Sequence, residues 1–131
     1  MLECLIIGDS IAVGTHQFRP ECSIVAKGGI NSWQFNKKNN GEFFSNTVII
    51  SLGSNDYLGI RTKHELEKLR SRVVAKSKVY WILPANRPTV QNIVKEIAEK
   101  NNDIVVPITR LQQDGVHPSW AGYKEIAEKT K

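Results

Sequence analysis

Four short stretches of this chain carry residue types able to do chemistry together. Residues 8–10 read Gly-Asp-Ser, residues 27–32 Lys-Gly-Gly-Ile-Asn-Ser, residues 52–57 Leu-Gly-Ser-Asn-Asp-Tyr, and residues 114–118 Asp-Gly-Val-His-Pro. A serine hydroxyl becomes a nucleophile when a histidine takes its proton and a carboxylate fixes the histidine tautomer. Asp114 and His117, three apart in a tight loop, can bond locally. The carboxylate would hold Nδ1–H and leave Nε2 free for the Ser10 proton. Gly115 permits that turn and Pro118 stiffens its exit. The Asn55 side-chain amide can donate to an oxyanion, Gly53 lets the backbone bend close to it, and a glycine N–H from Gly28 or Gly29 is a further donor. His16 and His64 have no comparably placed acid partner.

The elements that must position these residues alternate from start to finish. Residues 2–8, 23–26, 48–52, 79–83 and 103–107 are short and mostly β-branched or aliphatic, as strands buried on both faces should be. Between them lie helix-period segments. Thr62 with Glu65 three residues on resembles a capping box, and Leu66, Leu69 and Val73 follow on one face. Arg87-Pro88-Thr89 opens a second helix, in which Val90, Ile93, Val94, Ile97 and Ala98 form the stripe of a helix lying on a sheet. Weaker helical signals cover roughly residues 11–18 and 32–39, and a last helix runs from Ser119 towards the C-terminus. Residues 36–42, with two Lys, three Asn and a Gly, read as a loop. Such alternation predicts a three-layer α/β/α domain over residues 1–131 with a doubly wound, five-stranded parallel sheet in the flavodoxin-like order 2-1-3-4-5.

Each stretch also has a purely structural reading. Ser10 at a strand-to-helix turn is a good helix cap, and Gly, Ser, Asn and Asp favour turns anywhere. Asn86 and Arg87, after the fourth strand, either border a site or cap the helix at Pro88. Trp33 either lines a pocket or packs. The chemical reading gains from agreement: all four stretches follow strand ends on one edge of one sheet, where doubly wound folds bind ligands.

Composition removes several function classes. With 40% hydrophobic and 24% charged residues in 131, the chain reads as an ordinary folded domain. Its formal charge of +5 is spread along the chain among Glu residues, which argues against a nucleic-acid footprint. No run approaches membrane-spanning length, and no signal-type segment opens the chain, so the expected setting is cytoplasmic. Cys4 and Cys22, each in an apolar run, read as buried free thiols in a reducing compartment, with pairing left open. The turn at residues 8–14 lacks the glycines and Lys of a phosphate-cradling loop, and Gly8 and Gly14 do not make a dinucleotide fingerprint. No metal or cofactor is called for.

The four stretches together resemble the signature blocks of the SGNH hydrolases, also called GDSL esterases and lipases. Residues 8–14, 27–32, 52–57 and 114–119 match in chain order. The resemblance implies a Ser10, His117 and Asp114 triad, with oxyanion donors from the Ser10 N–H, the Gly29 N–H and the Asn55 amide. Gly29 is taken over Gly28 because the family's donor usually precedes a polar or small dipeptide. Asp9, Gly53, Asn86 and Trp33 are expected near the substrate. Ile30 departs from the family, which often has a polar residue there. The activity implied is ester hydrolysis through an acyl-enzyme, on a small acyl group such as acetyl, with a small-molecule or glycan ester as partner. The competing expectation is an idle module of the same fold that binds a carbohydrate or a protein.

Overall fold

The computed structural model describes residues 2–131, with Leu2 described in its backbone only. Ten elements alternate: β1 (Leu2–Gly8), α1 (Ser10–Gln17), β2 (Ser23–Ala26), α2 (Ser32–Lys38), β3 (Phe43–Ser51), α3 (Thr62–Ser71), β4 (Val73–Ile82), α4 (Pro88–Asn101), β5 (Ile104–Val106) and α5 (Trp120–Lys129). The strands form one parallel sheet in the order β2-β1-β3-β4-β5, as the alternation predicts.

Alternation along each strand builds two apolar layers. Leu5 and Ile7, Val48 and Ile50, and Val79 and Trp81 face one side, where Phe35 of α2, Leu66 and Leu69 of α3, and Val90, Val94 and Ile97 of α4 cover them. Ile6, Ile49, Tyr80, Ile82 and Val106 face the other, under Ile11 and Ala12 of α1 and Ile126 of α5. Ile6, Ile7, Ile49 and Ile50 are fully buried, and each such side chain contributes about 1.5–3 kcal/mol relative to exposure. The stripe on α4 is as expected, and Pro88 stands at its start, where a missing N–H is harmless.

Several local expectations are corrected. Cys4 and Cys22 are not free thiols but a disulfide, with Cα atoms 4.8 Å apart. The parallel register that sets Leu5 opposite Ser23 brings their preceding residues together. Thr62 does not cap α3: Arg61 holds the cap position without a side-chain bond, and the Thr62 hydroxyl donates to Asp56 at 2.8 Å. The helix also ends at Ser71, so Val73 opens β4 instead of extending the α3 face. Strands β3 and β4 start earlier than their apolar runs suggest, because residues 43–45 pair with residues 73–75. Asn36 lies inside α2, not in a loop; it is buried and its amide donates to the Glu65 carbonyl (2.9 Å) and carboxylate (2.8 Å).

Candidate active site

The carboxyl end of β1 is pressed against β3. Gly8 has φ +140°, and a Cβ there would collide with the Ser51 carbonyl oxygen, so only glycine allows this approach. The next N–H, of Asp9, donates to that same carbonyl at 2.9 Å. Asp9 then caps α1: its Oδ1 accepts from the Ile11 N–H at 3.0 Å and from the Ser51 hydroxyl at 3.0 Å. Ser10 therefore opens the helix at the sheet edge, and its own N–H is among the four that helix geometry leaves without an intrahelical acceptor.

The loop before α5 meets Ser10 from the other direction. Asp114 Oδ1 accepts from the Val116 N–H (2.9 Å) and the His117 N–H (3.0 Å), which curls the loop around its carboxylate. Asp114 Oδ2 lies 2.8 Å from His117 Nδ1, and His117 Nε2 lies 2.9 Å from Ser10 Oγ. The His117 contact, with those two backbone donors, holds the Asp114 carboxyl down at about 2 from its ordinary 3.8. A carboxylate on Nδ1 selects the tautomer that presents Nε2 to the serine, so this chain of three side chains can take a proton from Ser10.

The third wall comes from the loops after β2 and β3. Asn55 donates one amide hydrogen to the Ile30 carbonyl at 3.1 Å, which ties the two loops together and leaves the other hydrogen. Gly28 lies directly against Ser10, since a Cβ on it would sit 3.8 Å from Ser10 Cβ. Gly29 has φ +80° and open space around it. Gly53, at φ +106°, packs so closely on Val90 of α4 that a side chain would strike it.

Asp56 and Arg87 organise this wall; the sequence did not single out Asp56, and it offered Arg87 either as a border of the site or as a helix cap. Asp56 is buried and accepts from the Ser32 N–H (2.8 Å), the Ser32 hydroxyl (2.6 Å) and the Thr62 hydroxyl (2.8 Å), so it joins the starts of α2 and α3 to the Asn55 loop. Its signal was its place beside Asn55 with hydroxyl residues at both helix starts. Arg87 holds the cap position of α4 without a side-chain cap bond, and its guanidinium donates instead to the carbonyls of Ser54, at 3.2 Å, and of Asp56, on either side of Asn55.

The remaining residues expected near the substrate have different surroundings. Asp9 is fully buried beneath α1 and so does not face a ligand. Its second oxygen has no partner among the described residues, and burial pushes its carboxyl up to about 6. Asn86 is exposed on the turn before α4. Trp33 is half-exposed on α2 under the Lys37 ammonium, 4.6 Å from its ring centre, and it lines a hollow of about 450 Å³ with Tyr57, Ile60 and His64.

No family model and no curated protein sequence matches the chain. Solved structures do. A two-domain esterase active on acetylated mannans superposes with a TM-score of 0.63 at 17% identity, over 97% of this chain. A candidate GDSL-like lipase from Bacteroides uniformis gives 0.68 at 12% identity, over 98% of this chain and 93% of its own length. The chain has the SGNH hydrolase fold. The C-terminal catalytic domain of a Streptococcus pneumoniae peptidoglycan O-acetyltransferase shares this fold too, with a TM-score of 0.59 at 18% identity, over 97% of this chain and 89% of that one. The chain spans about half of the mannan esterase, 47% of its length. No helix among the described residues is long and apolar enough to cross a membrane.

Proposed function

We propose that the chain is a serine hydrolase that cleaves small acyl esters, acetyl above all, carried on a carbohydrate or similar exposed alcohol. The observation that carries this reading is the hydrogen-bonded series Ser10, His117, Asp114, with links of 2.9 and 2.8 Å. Ser10 Oγ attacks the ester carbonyl as His117 Nε2 takes its proton. The Ser10 N–H, the Gly29 N–H and the second Asn55 amide hydrogen hold the oxyanion. His117 then returns the proton to the departing alcohol oxygen, and water, deprotonated by the same imidazole, releases the acyl group from Ser10.

Asp114 orients and stabilises the imidazolium and stays ionised, in keeping with its low pKa. The general base supplies roughly 10²–10⁴-fold and an oxyanion donor about 10²–10³-fold. That two of the structural neighbours act in acetyl chemistry on glycans supports the choice of acyl group and alcohol. Hydrolysis of p-nitrophenyl acetate by the wild type, lost in Ser10→Ala, is the expected outcome. Equal background rates would contradict the reading and favour a glycan- or protein-binding module.

A further inference from the structure

A hollow of about 220 Å³ lies where the loop after β2 meets α2, lined by Lys27, Gly28, Gly29, Ile30, Gln34 and Lys38, and Gly28 is the lining residue that neighbours Ser10. Its two cations are brought there by separate elements. Lys27 follows β2, and its N–H donates to the Gly8 carbonyl at 3.0 Å, which pins it beside the strand end that presents Ser10. Lys38 ends α2, one turn beyond Gln34 on the same helical face. Gln34 is itself fixed by the capping box with Asn31, through bonds of 3.1 and 2.8 Å.

Lys27 and Lys38 both line this one hollow, and the nearness of Lys27 holds Lys38 below the ordinary lysine value. No acid lines the hollow, and neither lysine makes an ion pair among the described residues. Gly28, which follows Lys27, lies in contact range of Ser10, since a Cβ on it would sit 3.8 Å from Ser10 Cβ.

We propose that this hollow is an anion subsite and that the alcohol half of the substrate carries a carboxylate or a phosphate, seated between Lys27 and Lys38. The inference rests on the serine-hydrolase reading: a small acyl group has no room for a charge, so an anion above Gly28 and Gly29 belongs to the alcohol. Two like charges lining one hollow without an acid beside them are relieved by an anion from solution, and lysines, as compact point charges, accept either oxyanion.

The test compares kcat/KM for 4-acetoxybenzoate and 4-acetoxyphenyl phosphate with that for the neutral 4-acetoxybenzamide. It uses the wild type, Lys38→Met and the double variant Lys27→Met/Lys38→Met. The ratio of anionic to neutral ester is the readout, so intrinsic reactivity cancels between proteins. The wild-type ratio should exceed that of the double variant by roughly five- to tenfold, with Lys38→Met between them. The excess should shrink as salt is raised and screening shortens to a few ångströms. The ester with the larger excess identifies the anion. Ratios that are the same in all three proteins, with esters still turned over, would overturn the subsite alone. A wild type that hydrolyses none of the three would overturn the hydrolase reading and the subsite with it.

Discussion

The two arms that meet at Ser10 are built on opposite plans. The Asp114–His117 arm is a local loop: the carboxylate bonds the N–H groups two and three residues on and the imidazole of the latter, and the loop is largely exposed. The Asn55 arm is assembled from distant parts of the chain, through buried Asp56, Ser32, Thr62, Arg87 and the Ile30 carbonyl. The acid-base arm therefore depends on four successive residues and the donor arm on the whole sheet edge. Damage to the first should alter chemistry far more than stability, whereas damage to the second should touch both.

The largest effect expected on this contrast is at the tip of the donor arm. Asn55→Ala removes one oxyanion donor and should lower kcat by about 10²–10³-fold with KM little changed. A loss of only a few-fold in steady-state ester hydrolysis would take Asn55 out of its proposed role. Asp56→Ala comes next, since it strands two buried donors of Ser32 and the part-buried Thr62 hydroxyl; it should lower stability by about 2–4 kcal/mol in chemical denaturation and reduce activity as well. The matching change in the exposed loop, Asp114→Ala, should lower the unfolding midpoint much less than Asp56→Ala while slowing turnover, because its bonds are made at the solvent-exposed surface. If both variants unfolded at the same denaturant concentration, the contrast between the arms would fail.

The smallest effect lies beneath the nucleophile. Asp9 titrates at about 6 when folded against 3.8 ordinarily, so the folded state binds its proton more tightly than the unfolded chain does. The stability tied to this group is complete below about pH 4 and is lost as pH rises through 6. At neutral pH the buried charge should therefore cost about 2–3 kcal/mol. Asp9→Asn keeps an oxygen to cap α1 and should flatten the fall in stability measured by urea unfolding between pH 4 and pH 7. An unchanged pH dependence would show that Asp9 is not the group responsible.

What was legible in the sequence follows the same division. The sheet order could be read because buried parallel strands are continuous apolar runs and the helices between them have a 3.6 period. Asp114 and His117 could be paired because three residues of separation suffice to bring them together. Contacts set by register or by distant loops left little trace. Cys4 and Cys22 meet only because β1 and β2 align Leu5 with Ser23, and Thr62 looks like a cap until Asp56 claims its hydroxyl. Asp9 sits in a motif beside the nucleophile, yet its carboxyl turns down into the joint between β1, β3 and α1. The first halves of β3 and β4 carry polar residues such as Ser45 and, at an irregularity in the register, Asn46, Lys76 and Ser77, and the pairing of residues 43–45 with 73–75 overrides a pattern that reads as connection.

The most direct test of the central claim is the rate of p-nitrophenyl acetate hydrolysis by the wild type beside Ser10→Ala, with both proteins checked for folding by circular dichroism. The account predicts turnover in the wild type and a fall of at least about 10³-fold in the variant, the scale on which loss of a serine nucleophile is felt. Folded proteins with equal rates would contradict it.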